Sequence, residues 1–109
     1  MNLDNTKSQM RKGILEFCIL ACLTRGEAYP GDIIEEVRAA GLDLLEGTLY
    51  PLLTRLKNAG MLSYRWEEST SGPPRKYYAL SPAGETFYEE LNQNWNNMAK
   101  AVNTINKKK

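Results

Sequence analysis

Near the end of the chain the apolar side chains Tyr88, Leu91, Trp95, Met98, Val102 and Ile105 follow one another at separations of three, four, three, four and three residues. That spacing is a heptad seam, the pattern by which one helix packs along another. Ser81 suits the N-cap and Pro82 the first helical position, so the helix bearing the seam starts there and runs to about Asn106. About 25 residues at 1.5 Å each extend roughly 37 Å, farther than a domain this small needs to cover its own core. Part of the helix therefore requires a partner, and a second copy of the chain is the simplest. The alternative is that the helix packs only on its own domain.

What precedes the seam has to be a small folded body. With 42% apolar and 25% charged residues the composition is that of a globular chain and of neither a disordered nor a fibrous one. No stretch approaches the roughly 18 consecutive apolar residues of a membrane span, and residues 1–8 lack the apolar core of an export signal. A cytoplasmic location follows as the expectation. Cys18 and Cys22 lie four apart in an apolar run, which places them on one helix face as packing residues, not in a disulfide framework. With no histidine and only two cysteines, neither a metal nor a cofactor is expected.

The body reads as three helices and a hairpin. Over residues 8–24 the apolar side chains from Ile14 to Leu23 nearly encircle a helix, which predicts a central first helix ended by Gly26. Tyr29-Pro30-Gly31-Asp32 opens a second, with Ile33, Ile34 and Val37 inward and Gly41 as the stop. A third runs from about Glu46 to Ala59 on the stripe Leu49, Leu52, Leu53 and Leu56, and Gly60 closes it. The period then changes. Leu62, Tyr64 and Trp66 alternate with polar residues, as in a strand covered on one face, residues 69–74 turn, and a second strand runs from Lys76 to Leu80. The class predicted is mainly α with a small β-hairpin: a winged helix-turn-helix over residues 1–80, and a long dimerisation helix with a basic tail over 81–109, forming one unit.

In that arrangement the third helix enters the major groove of DNA and the hairpin, or wing, lies along the backbone. With the leucine stripe turned inward, Thr48, Tyr50, Pro51, Thr54, Arg55 and Asn58 occupy the outward arc. Hydroxyl, amide and guanidinium groups can meet base edges and phosphates, and no acid lies between Gly47 and Asn58 to repel them. Glu46, at the start, is favoured there by the helix dipole. Pro51 should distort the first turn, because it removes one helical hydrogen bond and crowds the carbonyl of Gly47. Arg75 and Lys76 on the wing, and Lys7, Arg11 and Lys12 ahead of the first helix's apolar run, are candidate phosphate contacts.

These motifs resemble the PadR family. The resemblance is carried by Gly47-Thr48-Leu49-Tyr50-Pro51-Leu52-Leu53-Thr54-Arg55-Leu56, by Gly60, by Arg75-Lys76-Tyr77-Tyr78, and by Leu80-Ser81 with Gly84; Tyr29-Pro30-Gly31-Asp32-Ile33 is similar to the family's second-helix start. Membership would imply a bacterial-type dimeric repressor. The single short C-terminal helix resembles the smaller subgroup, which includes regulators of multidrug-efflux genes and dimers that enclose an apolar ligand pore.

The function expected is thus a homodimeric, sequence-specific repressor on an inverted-repeat operator in double-stranded DNA. A small planar apolar effector is a further possibility: a twofold axis near Trp95 would bring two indoles together, with Phe17 and Met98 as walls. The competing reading of that seam is tight packing in which Trp95 only anchors the dimer. An enzyme is disfavoured, since there is no histidine, no glycine-rich phosphate loop, and Glu35-Glu36, Glu67-Glu68 and Glu89-Glu90 are adjacent residues that diverge. A winged helix that docks a protein in place of DNA is the remaining alternative.

Overall fold

In a computed structural model, residues 1–107 of the chain are described. Helices α1 (Leu3–Arg11), α2 (Ile14–Cys22), α3 (Pro30–Ala39) and α4 (Glu46–Asn58) are followed by strands β1 (Leu62–Ser69) and β2 (Gly72–Leu80) and by α5 (Pro82–Lys107), with a 3-10 turn over Leu23–Arg25. The mainly helical class, the antiparallel hairpin and the long C-terminal helix are those expected. Of the basic tail, Lys107 ends α5, while Lys108 and Lys109 lie outside the described residues.

The first helix differs from expectation. In place of one helix over residues 8–24, α1 and α2 meet at a break where Lys12 is extended and Gly13 takes φ +88°. A left-handed φ costs least for glycine, so the chain turns at the residue without a Cβ. The apolar girdle is divided as a result. Ile19, Leu20 and Leu23 enter the core, Ile14, Leu15, Phe17, Cys18 and Cys22 stay half-buried, and α1 buries nothing fully.

The core joins α2, α3 and α4 under the base of the hairpin, with Ile19, Leu20, Ile33, Leu44, Leu49 and Leu53 almost wholly buried. Burying a leucine or isoleucine side chain contributes about 1.5–3 kcal/mol, so these contacts, and not helix propensity, hold α4 in place. Its end is also fixed: Met61 N–H donates to the Leu56 carbonyl at 2.9 Å and Gly60 N–H to that of Lys57 at 3.0 Å. α4 continues through Pro51 without a break.

The hairpin closes earlier than residues 69–74 suggested. Ser69 pairs with Gly72, and β2 starts at Gly72 instead of Lys76. Pro73 and Pro74 have no N–H to donate, and the ladder is irregular where they lie, between the pairs Glu67–Arg75 and Ser69–Gly72. Ala28 and Tyr78 exchange backbone hydrogen bonds of 3.0 and 2.8 Å, which ties β2 to the segment before α3. The covered face expected for β1 exists only at its base. Leu62 is buried, whereas Tyr64 and Trp66 are exposed.

Ser81 fixes where α5 leaves the body. Its Oγ accepts from Gly84 N–H at 3.0 Å and donates to the Gly60 carbonyl at 2.6 Å, while its N–H donates to that of Met61 at 3.0 Å. A Cβ at position 84 would run into the Met61 carbonyl oxygen, so glycine alone lets the helix sit this close. The start of α5 is thereby bonded to the corner that ends α4. None of the described helices is long and apolar enough to cross a membrane.

Candidate nucleic-acid interface

Opposite its buried stripe, α4 turns Thr48, Tyr50, Pro51, Thr54, Arg55 and Asn58 to solvent. All six predicted arc residues are therefore accessible along one helix. Arg55 has a neighbour that local sequence does not supply: its Nη1 lies 3.3 Å from Oε1 of Glu16, a mostly buried side chain in the first turn of α2. The arc is free of acids in sequence and not in space.

Between α4 and the wing lies a cleft of about 480 Å³ lined by Tyr29, Glu46, Tyr50, Thr54, Trp66, Arg75, Lys76 and Tyr78, among others. It unites predicted residues of helix and wing. Each wing cation stands over an aromatic ring: the Arg75 guanidinium 4.8 Å from Tyr29, and Lys76 Nζ 4.4 Å from Tyr64 and 5.1 Å from Trp66. Such contacts contribute about 0.5–1 kcal/mol at exposed sites, enough to bias where a cation stands while leaving its charge available to a phosphate. On the other face, Arg65 grips Glu27 with Nε and Nη2 at 2.9 and 2.5 Å from its two oxygens. Those hydrogen bonds hold the Glu27 carboxyl below its ordinary value. The pair straps the wing to the segment that precedes α3.

Tyr29, Tyr64, Trp66 and Glu16 are site residues that sequence reasoning missed. The aromatic alternation of β1 was the available signal, but its reading as a covered face hid the pairing of Trp66 with Lys76 across the strands. For Glu16 no local signal exists.

The cations before α2 are not brought to the cleft. Lys7 is exposed on α1, Arg11 places Nη2 3.4 Å from Ser8 Oγ, and Lys12 lines a second pocket beside α5. That pocket, of about 300 Å³, brings together Phe17, Trp95 and Met98, with Met10, Ile14 and Leu91 around them. The Phe17 ring lies 5.6 Å from that of Tyr88 and 6.4 Å from that of Trp95. The heptad seam is divided between the body and solvent. Tyr88 and Leu91 pack on the body, whereas Trp95, Met98, Val102 and Ile105 are exposed. Cys18 and Cys22 are half-buried, and burial pushes both thiols up, with Arg25 opposing the effect at Cys22. They stay protonated near neutral pH.

Residues 19–90 match the transcriptional regulator PadR-like family, a span that takes in the core, α4, the wing and the start of α5. The chain belongs to the PadR-like family. Its members are transcriptional regulators and not enzymes. A PadR-like transcription factor from Bacteroides fragilis is 56% identical, with 93% of this chain and 98% of that one covered and a TM-score of 0.78. A PadR-like transcriptional regulator from Bacillus cereus is 32% identical, with 93% and 99% covered and a TM-score of 0.84. The PadR of Bacillus subtilis, whose structure is a complex with operator DNA, is 22% identical over 72% of this chain and 46% of that one. Its TM-score of 0.68 extends the likeness in fold alone.

Proposed function

We propose that this PadR-like regulator is a homodimeric repressor that binds an inverted-repeat DNA operator. The observation that carries the reading is the position of α4: anchored by a buried leucine stripe, it presents a polar arc beside a wing whose Arg75 and Lys76 face the same cleft. A rigid helix with hydroxyl, phenol and guanidinium groups on its free side suits the major groove, and the wing cations suit the flanking phosphates. Thr48, Tyr50, Pro51, Thr54 and Arg55 are the proposed reading face; Lys7 and Arg11, apart from the cleft, are left to outer phosphates. The exposed row Trp95, Met98, Val102 and Ile105 supports pairing of two copies through α5, with Tyr88 and Leu91 at the inner end of the seam.

The pocket of Phe17, Trp95 and Met98 is the proposed site for a planar apolar effector. Such a ligand releases DNA only if it favours one spacing of the two α4 helices over the other. Replacement of Trp95 by leucine should abolish quenching of the remaining tryptophan by planar dyes while the dimer persists; equal quenching afterwards removes the pocket from the account.

Titration of duplex DNA at rising salt tests the main reading. Affinity that falls steeply with salt supports it. No duplex affinity, together with salt-insensitive binding to a protein, would establish the interaction module in its place.

A further inference from the structure

Glu16 occupies an unusual place, a carboxylate set against a helix face that is otherwise neutral or basic from Gly47 to Asn58. Its side chain is 19% exposed and that of Arg55 73%, so the acid is the fixed member of the pair and the guanidinium the movable one. An ion pair with one partner this exposed adds little to folding stability. Its consequence lies in what it does to Arg55.

We propose that Glu16 is a positioning residue that makes Arg55 read bases in preference to phosphates. The inference rests on the DNA-reading role proposed above for α4. An arginine alone on an exposed helix can swing to whichever phosphate is nearest, which strengthens binding to every sequence alike. The contact of Nη1 with Glu16 biases the direction in which the planar guanidinium points, and its remaining N–H donors, coplanar in any direction, are left to meet a base edge through two bonds. To reach a phosphate it would have to leave Glu16, and the phosphate would then stand near an uncompensated carboxylate. Specificity is a difference between affinities, and here the repulsive element acts on the unwanted pose.

The test measures affinity of the full chain for a duplex selected from a random pool and for a random duplex of the same length, each across a range of salt. Four variants enter: Glu16→Gln, Glu16→Ala, Arg55→Ala and the double variant Glu16→Gln with Arg55→Ala. Removal of the carboxylate should tighten binding to the random duplex severalfold, lower the selected-to-random ratio, and steepen the random-duplex salt slope by about 0.9 per protomer, one phosphate contact each. Glu16→Ala should move all three quantities in the same direction as Glu16→Gln. With Arg55 absent, Glu16→Gln should leave ratio and slope where Arg55→Ala alone puts them. An unchanged ratio and slope in a wild-type protein that does select a duplex overturns the positioning role and leaves the function standing, as does an equal effect without Arg55. If the wild type selects no duplex, the function falls and the inference with it.

Discussion

The body and the distal half of α5 treat similar side chains in opposite ways. In the body Ile19, Leu20, Ile33, Leu49 and Leu53 are fully buried, whereas in α5 Trp95, Met98, Val102 and Ile105 remain 41–70% exposed along one side. Hydrophobicity does not separate the two sets. Geometry does: α2, α3 and α4 surround a common centre, while α5 is bonded to the body at Ser81 and Gly84, packs on it through Tyr88 and Leu91, and then continues past it. The body is stabilised within one chain, and in the proposed dimer α5 is stabilised between two. Cavities should therefore damage the first and dilution the second.

The largest effect should come from the body. Leu53→Ala should destabilise by about 2–5 kcal/mol in urea unfolding, since a fully buried leucine leaves a cavity. A loss below 1 kcal/mol, by roughly the same scale, would mean that the core is not where the comparison puts it. Next comes the seam. A chain ending before Trp95 should sediment as a folded monomer, and a stable dimer from that truncation would move the interface elsewhere. On the reading face, Arg55→Ala should lower affinity for the selected duplex by about 1–3 kcal/mol and relax the preference at one position of each half-site.

The wing should behave differently from α4. Alanine at Arg75 or Lys76 should weaken all duplexes alike and reduce the salt slope by about 1 each, as phosphate contacts do. A sequence-dependent loss would place these residues with the base readers. The smallest effect should be that of the strap between Glu27 and Arg65. Because the folded carboxyl sits below its ordinary value, its contribution is present above the unfolded value and is lost as pH falls through the folded one. The difference in urea midpoint between wild type and Glu27→Gln should thus shrink on acidification; a difference that grows would reverse the sign.

What the sequence disclosed followed from short-range pattern. The leucine stripe of α4, the stop at Gly60, the Ser81-Pro82 start and the heptad seam are read within a few residues of one another, and each is found in its expected element. The misreadings arise where several local rules compete. The girdle of α2 masked the one glycine where the chain could turn, and Pro73 and Pro74 read as a loop although an irregular edge strand tolerates them. At the site, α4 and the wing were legible, but Glu16 beside Arg55 and Tyr29 beneath Arg75 are not. Those neighbours are made by packing between distant segments, which no spacing encodes.

Selection of duplexes from a random pool by the full chain tests the central claim most directly. Two α4 helices related by a twofold axis require an inverted repeat, with half-site centres one helical turn apart, about 10 bp, or a multiple of it. Enrichment of such a repeat is the predicted result. Enrichment of a single unrepeated site, or no enrichment at all, would contradict the account.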